Sequence, residues 1–130
     1  MSHWTVAKVR IKNPSKELLK LALQAIAKEL GASEVVENFE VIGYHASRVC
    51  DLAIPMRLPY GNGYGVYIDQ NGEVKVVVDD HGAPMSAREF ASKLIQYYTV
   101  LAVQVAAQQL GFTITNAQQT PQGIIMDLTR

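Results

Sequence analysis

Three consecutive side chains, Asp79, Asp80 and His81, carry the densest chemistry in the sequence. Two carboxylates beside an imidazole can bind a divalent cation or relay a proton in acid–base catalysis. They follow an apolar strand-like run and precede a helix start, where the helix end attracts anions. The same residues also fix turns, and Gly82 and Pro84 complete a turn-rich segment. The triplet lacks the ligand spacing of a zinc finger or a zincin, so no metal site and no cofactor are assigned.

Two further constellations are weaker. His45, Cys50 and Asp51 lie close in sequence. A Cys–His pair makes a nucleophile only when the thiol pKa is lowered and a third group orients the base. Cys50 alternates with Leu52, Ile54 and Met56 on one strand face, which reads as a buried structural cysteine. Trp4, Lys8, Arg10, Tyr67 and Lys75 are expected to share a sheet face. Aromatics interleaved with basic side chains form a platform for bases or a planar ligand. The ordinary alternative is a solvated face or a subunit contact. The run GNGYG at residues 61–65 has the glycine content of a phosphate cradle but no Lys followed by Ser or Thr, and it leads into a strand. It reads as a flexible loop, overlapping a Pro- and Gly-rich loop over residues 57–63.

The elements that position these residues follow from periodicity. Residues 86–110 form the longest helical pattern. Ser86 and Glu89 make a capping box, Met85 and Phe90 sit as a hydrophobic staple, and Gly111 supplies a left-handed exit. Phe90, Leu94, Tyr97, Leu101 and Val105 repeat at helical spacing, and the polar line is narrow. Such a helix is expected to be buried on more than one side. A shorter helix is predicted to start with Asn13 as cap and Pro14 in its first turn, and to end at Gly31. Strands are predicted over residues 3–11, 33–45 with a break near Asn38, 49–56, 64–69, 73–79, 112–118 and 123–129. Pro55 marks an edge or a strand end. Asn71-Gly72 predicts a two-residue type I′ hairpin turn.

The order β-α-β-β-β-β-α-β-β predicts an α+β fold, a two-layer sandwich with a mostly antiparallel sheet and both helices on one face. A length of 130 residues predicts a single domain spanning residues 1–130. Twelve basic and twelve acidic residues cancel, which argues against a protein built around the phosphate backbone. The lone Cys50 fits a reducing, cytoplasmic location, and no signal peptide or membrane span is expected.

The opening SHWTVAKVRI, the first helix ending in Leu-Gly, the CDLAI strand, NGEVKVVVDD and EFASKLIQYY occur in an order that resembles the hypothetical chloroplast reading frame 35 family, also called domain of unknown function 1257. The resemblance covers nearly the whole chain. Ser2-His3-Trp4-Thr5 is its most specific piece, and the chain departs from the family pattern at residues 79–84 and 57–63. The family offers no catalytic residues to carry over. The expectation is a binding or assembly module without enzymatic activity, forming a homo-oligomer through helix 86–110 or a sheet edge. The alternatives are an enzyme using Asp79, Asp80 and His81, and a weak nucleic-acid binder using the Trp4 face.

Overall fold

The computed structural model describes residues 2–130 and has an α+β fold with antiparallel sheets. Strand β1 (Trp4–Lys12) leads to helix α1 (Lys16–Leu30). Four strands follow: β2 (Val36–Ile42), β3 (Ser47–Leu58), β4 (Gly61–Ile68) and β5 (Glu73–Asp79). Then come helix α2 (Ala87–Gln109) and strands β6 (Thr113–Thr120) and β7 (Gly123–Thr129). The first five strands form one sheet in the order β1-β5-β4-β3-β2, so β1 and β2 are its edges. The last two strands do not join it. They make a separate two-stranded sheet, with Ile114 opposite Leu128 and Ala117 opposite Met126.

Local chemistry explains the helix ends. Ser86 accepts the Glu89 N–H at 3.1 Å, as its spacing predicts. At the far end, Phe112 N–H reaches Ala107 O at 2.8 Å and Gly111 N–H reaches Gln108 O at 3.1 Å, a Schellman pattern. The first helix starts later than expected. Ser15 caps it, accepting Leu18 N–H at 3.2 Å, and Asn13 does not. Asn13 instead adopts a φ of 50° and donates its N–H to Gly72 O at 2.7 Å. It therefore ties the end of β1 to the β4–β5 turn.

That turn also differs from the type I′ expectation. A type I′ turn needs positive φ at both central residues, and here Gly72 has it while Asn71 does not. Gly72 N–H bonds Asp69 O at 3.0 Å and Asp69 N–H bonds Glu73 O at 2.9 Å, closing a three-residue loop with glycine in the left-handed place. The Asp69 carboxylate accepts Asn71 N–H at 2.8 Å and Glu73 N–H at 2.9 Å. This side-chain turn supplies what the I′ geometry would have supplied.

Residues 57–63 are not a loop. Leu58 pairs with Gly61 across a tight connection at Pro59 and Tyr60, and the GNGYG run is strand β4. Its glycines accommodate close approach. The β2–β3 hairpin leans over β4 on the sheet face away from the helices. Asn62 accepts Ile42 N–H at 2.7 Å and donates to Glu40 O at 3.0 Å. A Cβ on Gly65 would collide with the Cys50 sulfur and lie 2.6 Å from Val41 Cγ2. Cys50 is buried in this second cluster with Val41, Ala53 and Val77, and not with Leu52 and Ile54 as strand alternation predicts. The ladder between β2 and β3 skips Asn38, whose φ is 50°, and this irregularity lies opposite the Cys50–Leu52 stretch. Pro55 lies past Ala53, the last β3 residue that β2 pairs, and a register shift follows it. Its missing N–H therefore disturbs no ladder toward β2.

The main core lies between the other sheet face and both helices. Leu19, Leu23 and Ile26 of α1 and Phe90 and Leu94 of α2 pack on Ile54, Tyr64, Val66, Val74, Val76 and Val78. Tyr64 stacks on Phe90 with centroids 4.9 Å apart, and its hydroxyl donates to Met85 O at 2.7 Å and accepts Met85 N–H at 3.1 Å. One buried phenol thus fixes the start of α2 to β4. The second half of α2 departs from expectation. Beyond Leu94 only Ala107 is buried, so the helix is enclosed along its first half alone.

Candidate functional site

The site sits where β5 runs into the α2 cap. Asp79 ends β5 and is 1% exposed. Its carboxylate accepts His3 N–H at 2.6 Å and Tyr44 N–H at 3.1 Å. Those amides belong to the residue preceding β1 and to the β2–β3 turn, so one side chain gathers three segments distant in sequence. The turn is closed by Gly43 N–H to Ala46 O at 2.7 Å. A Cβ on Gly43 would lie 2.6 Å from Trp4 Cε3 and 2.9 Å from Asp79 Oδ2, so the aspartate and the indole both press on bare backbone.

Asp80 faces the other way. One oxygen accepts Ala87 N–H at 2.7 Å, in the first turn of α2, where a negative charge opposes the helix dipole. The other lies 2.9 Å from His3 Nδ1 and 3.4 Å from Thr5 Oγ1. His81 is exposed and meets neither carboxylate. Its ring packs edge-on against Tyr60 at 5.4 Å, Tyr60 meets Tyr44 at 5.8 Å, and Tyr44 meets His45 at 4.3 Å. The structure therefore brings Asp79 and Asp80 together with His3, and leaves His81 in an aromatic chain at the rim. Among the described residues no group of three or more His, Cys, Asp or Glu side chains is placed to hold a metal ion.

Cys50 and His45 do not form a pair. The thiol donates to Arg48 O at 3.6 Å, and burial pushes its pKa up to about 11, against the direction a nucleophile needs. Asp51 accepts Ile68 N–H at 2.9 Å, repairing the strand junction.

The proposed sheet-face platform is divided. Trp4 and Tyr67 are half-buried against the Val41–Cys50–Ala53–Val77 cluster, and the Arg48 guanidinium lies 3.8 Å above the Tyr67 ring. Lys8, Lys75 and Tyr67 are in register across β1, β5 and β4, with Lys8 paired to Glu73 at 2.9 Å and Lys75 to Asp69 at 3.6 Å. Arg10 lines a hollow with Lys8 and Glu73, and also borders Tyr98, Thr99 and Ala102 of α2.

The chain belongs to the family described as protein of unknown function (DUF1257), whose model matches residues 26–126. In this DUF1257 protein the match runs from within α1 into β7 and includes Asp79, Asp80 and His81. The Ser2-His3-Trp4-Thr5 opening lies before it. No curated protein and no solved structure matches the chain. Among the described residues no helix is long and apolar enough to cross a membrane.

Sequence reasoning missed Gly43, Tyr44, Tyr60 and the role of His3. The first two carry a signal of a kind, a Gly-Tyr step inside a turn. Nothing local marks Tyr60 or His3, because both act through partners distant in the chain.

Proposed function

We propose that this DUF1257 protein is a non-enzymatic assembly module of the cytoplasm that works as a homo-oligomer. The observation that carries the reading is the apolar surface left on the second half of α2 and the β6–β7 hairpin: Val105 is 45%, Leu110 67%, Ile125 59% and Leu128 46% exposed. Residues 94–126 carry no charged side chain, and apolar side chains exposed on so uncharged a stretch mark a contact site. The chemistry at the end of β5 supports the same reading. The carboxylates of Asp79 and Asp80 are engaged by main-chain amides and by His3, so their arrangement serves to hold segments together. The single thiol of Cys50 is buried and fits a reducing compartment.

Sedimentation velocity across the micromolar range tests the proposal. The expected outcome is a species heavier than one chain whose population rises with concentration. A single species of one chain at high micromolar concentration removes the assembly reading.

A further inference from the structure

All twenty-four charged side chains, twelve basic and twelve acidic, lie outside residues 94–126. That neutral stretch is the second half of α2, all of β6 and most of β7, and Val105, Leu110 and Ile125 are exposed on it, whereas the exposed Val6, Ile42 and Val49 sit on strands that carry charges. Its strand edges contrast with those of the main sheet. Edge β1 carries Lys8, Arg10 and Lys12, and edge β2 carries Glu37 and Glu40. Charges along an edge are how monomeric sheets are kept from pairing with other chains. The β6–β7 hairpin has no such guard. Its strands hold one charge, Asp127, which accepts a hydrogen bond from Asn116 at 3.3 Å within the hairpin.

A two-stranded sheet is marginal alone. This one touches the main body through α2 and, at Ala117, closes over an apolar hollow with Leu21, Ala25, Tyr97, Val100 and Leu101. Its opposite face still presents Ile125. Charge argues against a two-fold pairing of either main-sheet edge, and β1 on β2 would match opposite charges only head to tail. Two copies of β1 laid together would set lysine and arginine against lysine and arginine, and two copies of β2 would set glutamate against glutamate; like charges directly opposite destabilise a ladder. Two copies of the neutral region bring no like charges together apart from Asp127. A self-complementary patch of this kind suits a two-fold interface, whose core is typically depleted of charge.

We infer that the second half of α2 and the β6–β7 hairpin form a two-fold interface with the same surface of a second copy of the chain. The inference rests on the assembly reading above and names the surface that serves it. The main-sheet edges stay free in the dimer.

The test compares charge insertions in the two regions by sedimentation. Val105→Glu and Ile125→Lys each place a charge in the contact, and either is expected to weaken the dimer about a hundredfold or more. Val6→Glu and Glu40→Lys, on the two main-sheet edges, are expected to leave it intact. High salt is expected to leave the parent dimer intact, because no ion pair crosses the interface. A dimer that survives both Val105→Glu and Ile125→Lys overturns this interface while leaving assembly standing, and so does a dimer lost on Val6→Glu or in salt. A parent that sediments as one chain overturns both readings. If the variants unfold, hydrogen exchange on the parent decides. Hairpin amides whose protection rises with concentration support the interface, and concentration-independent exchange overturns it.

Discussion

The two halves of α2 live in different environments. From Ala87 to Leu94 the helix is locked: Ser86 and Asp80 hold its first amides, Tyr64 holds Met85, and Phe90 and Leu94 are fully buried. Past Leu94 the same helix carries side chains at the same apolar spacing, yet most are only half-buried and Val105 is exposed. There Tyr98 accepts Ser15 N–H, Tyr97 donates to Glu29, and Ile95 and Leu101 reach the rim of the core, but the outward side chains stay uncovered. Apolar periodicity reports that a surface wants covering. Which part of the chain covers it, or whether a second chain does, is a matter of topology.

Truncation should break this contrast most clearly. Phe90→Ala removes a fully buried ring stacked on Tyr64 and is expected to cost about 3–5 kcal/mol. Ile125→Ala in the dissociated chain should change stability by no more than about 0.5 kcal/mol. Urea unfolding of both at low protein concentration measures the difference, and equal costs would erase the distinction between the regions.

Asp79→Ala comes next. It leaves the amides of His3 and Tyr44 without their buried acceptor, at an expected cost of about 2–3 kcal/mol. His81→Ala, at the exposed rim, should stay within about 0.5 kcal/mol of the parent. Thermal melts of the pair would show whether the triplet is a clasp with a bystander or a unit.

Gly65→Ala follows at about 1–3 kcal/mol, because its methyl meets Cys50 and Val41 inside a packed cluster. Gly123→Ala, in the hairpin, has open space around its Cβ, and only its φ of 137° opposes the change. The first cost comes from packing and the second from backbone strain. Cys50→Ala should therefore relieve part of the first and none of the second.

The smallest effect is in pH. The Cys50 pKa is raised from 9.0 to about 11 by burial. Below pH 9 the thiol is protonated folded and unfolded, and its contribution is complete. As pH rises through 9 toward 11 the unfolded chain releases a proton that the folded site retains, so stability falls. Cys50→Ala should flatten that part of the curve. The loss from Tyr97, held up to about 12 by its hydrogen bond to Glu29, sets in at higher pH and remains. An unchanged slope in the variant would mean the thiol is not enclosed.

What the sequence disclosed was what neighbours along the chain decide. The Ser86 cap, the Gly111 exit and the order of elements rest on contacts a few residues apart. The GNGYG run shows the opposite case. Glycines at 61, 63 and 65 repeat with the period of a strand, but each has its own distant reason, the Ile42 carbonyl at Gly61, the Ile54 carbonyl at Gly63, and Val41 and Cys50 at Gly65, which no local pattern announces. Asn71-Gly72 has the right composition for one turn and is drawn into another by the carboxylate of Asp69 and the tie from Asn13. The triplet at residues 79–81 was visible as chemistry. Its division into two clasps and a rim histidine depends on His3 and Tyr44, which arrive from elsewhere.

The pairing of β1 with β5 governs the order in which the chain can fold. The bond from His3 to Asp79 spans 76 residues, and Thr5 lies opposite Val78. Contacts of such separation form slowly, because the loop between them must close first. On the ribosome β1 emerges first and waits unpaired until β5 is made, while α1 and the β2–β3 and β3–β4 hairpins can already form from neighbouring segments. For that interval Lys8, Arg10 and Lys12 guard a strand with both sides open. The seam of the sheet that joins its most distant segments is also the one that Asp79 clasps.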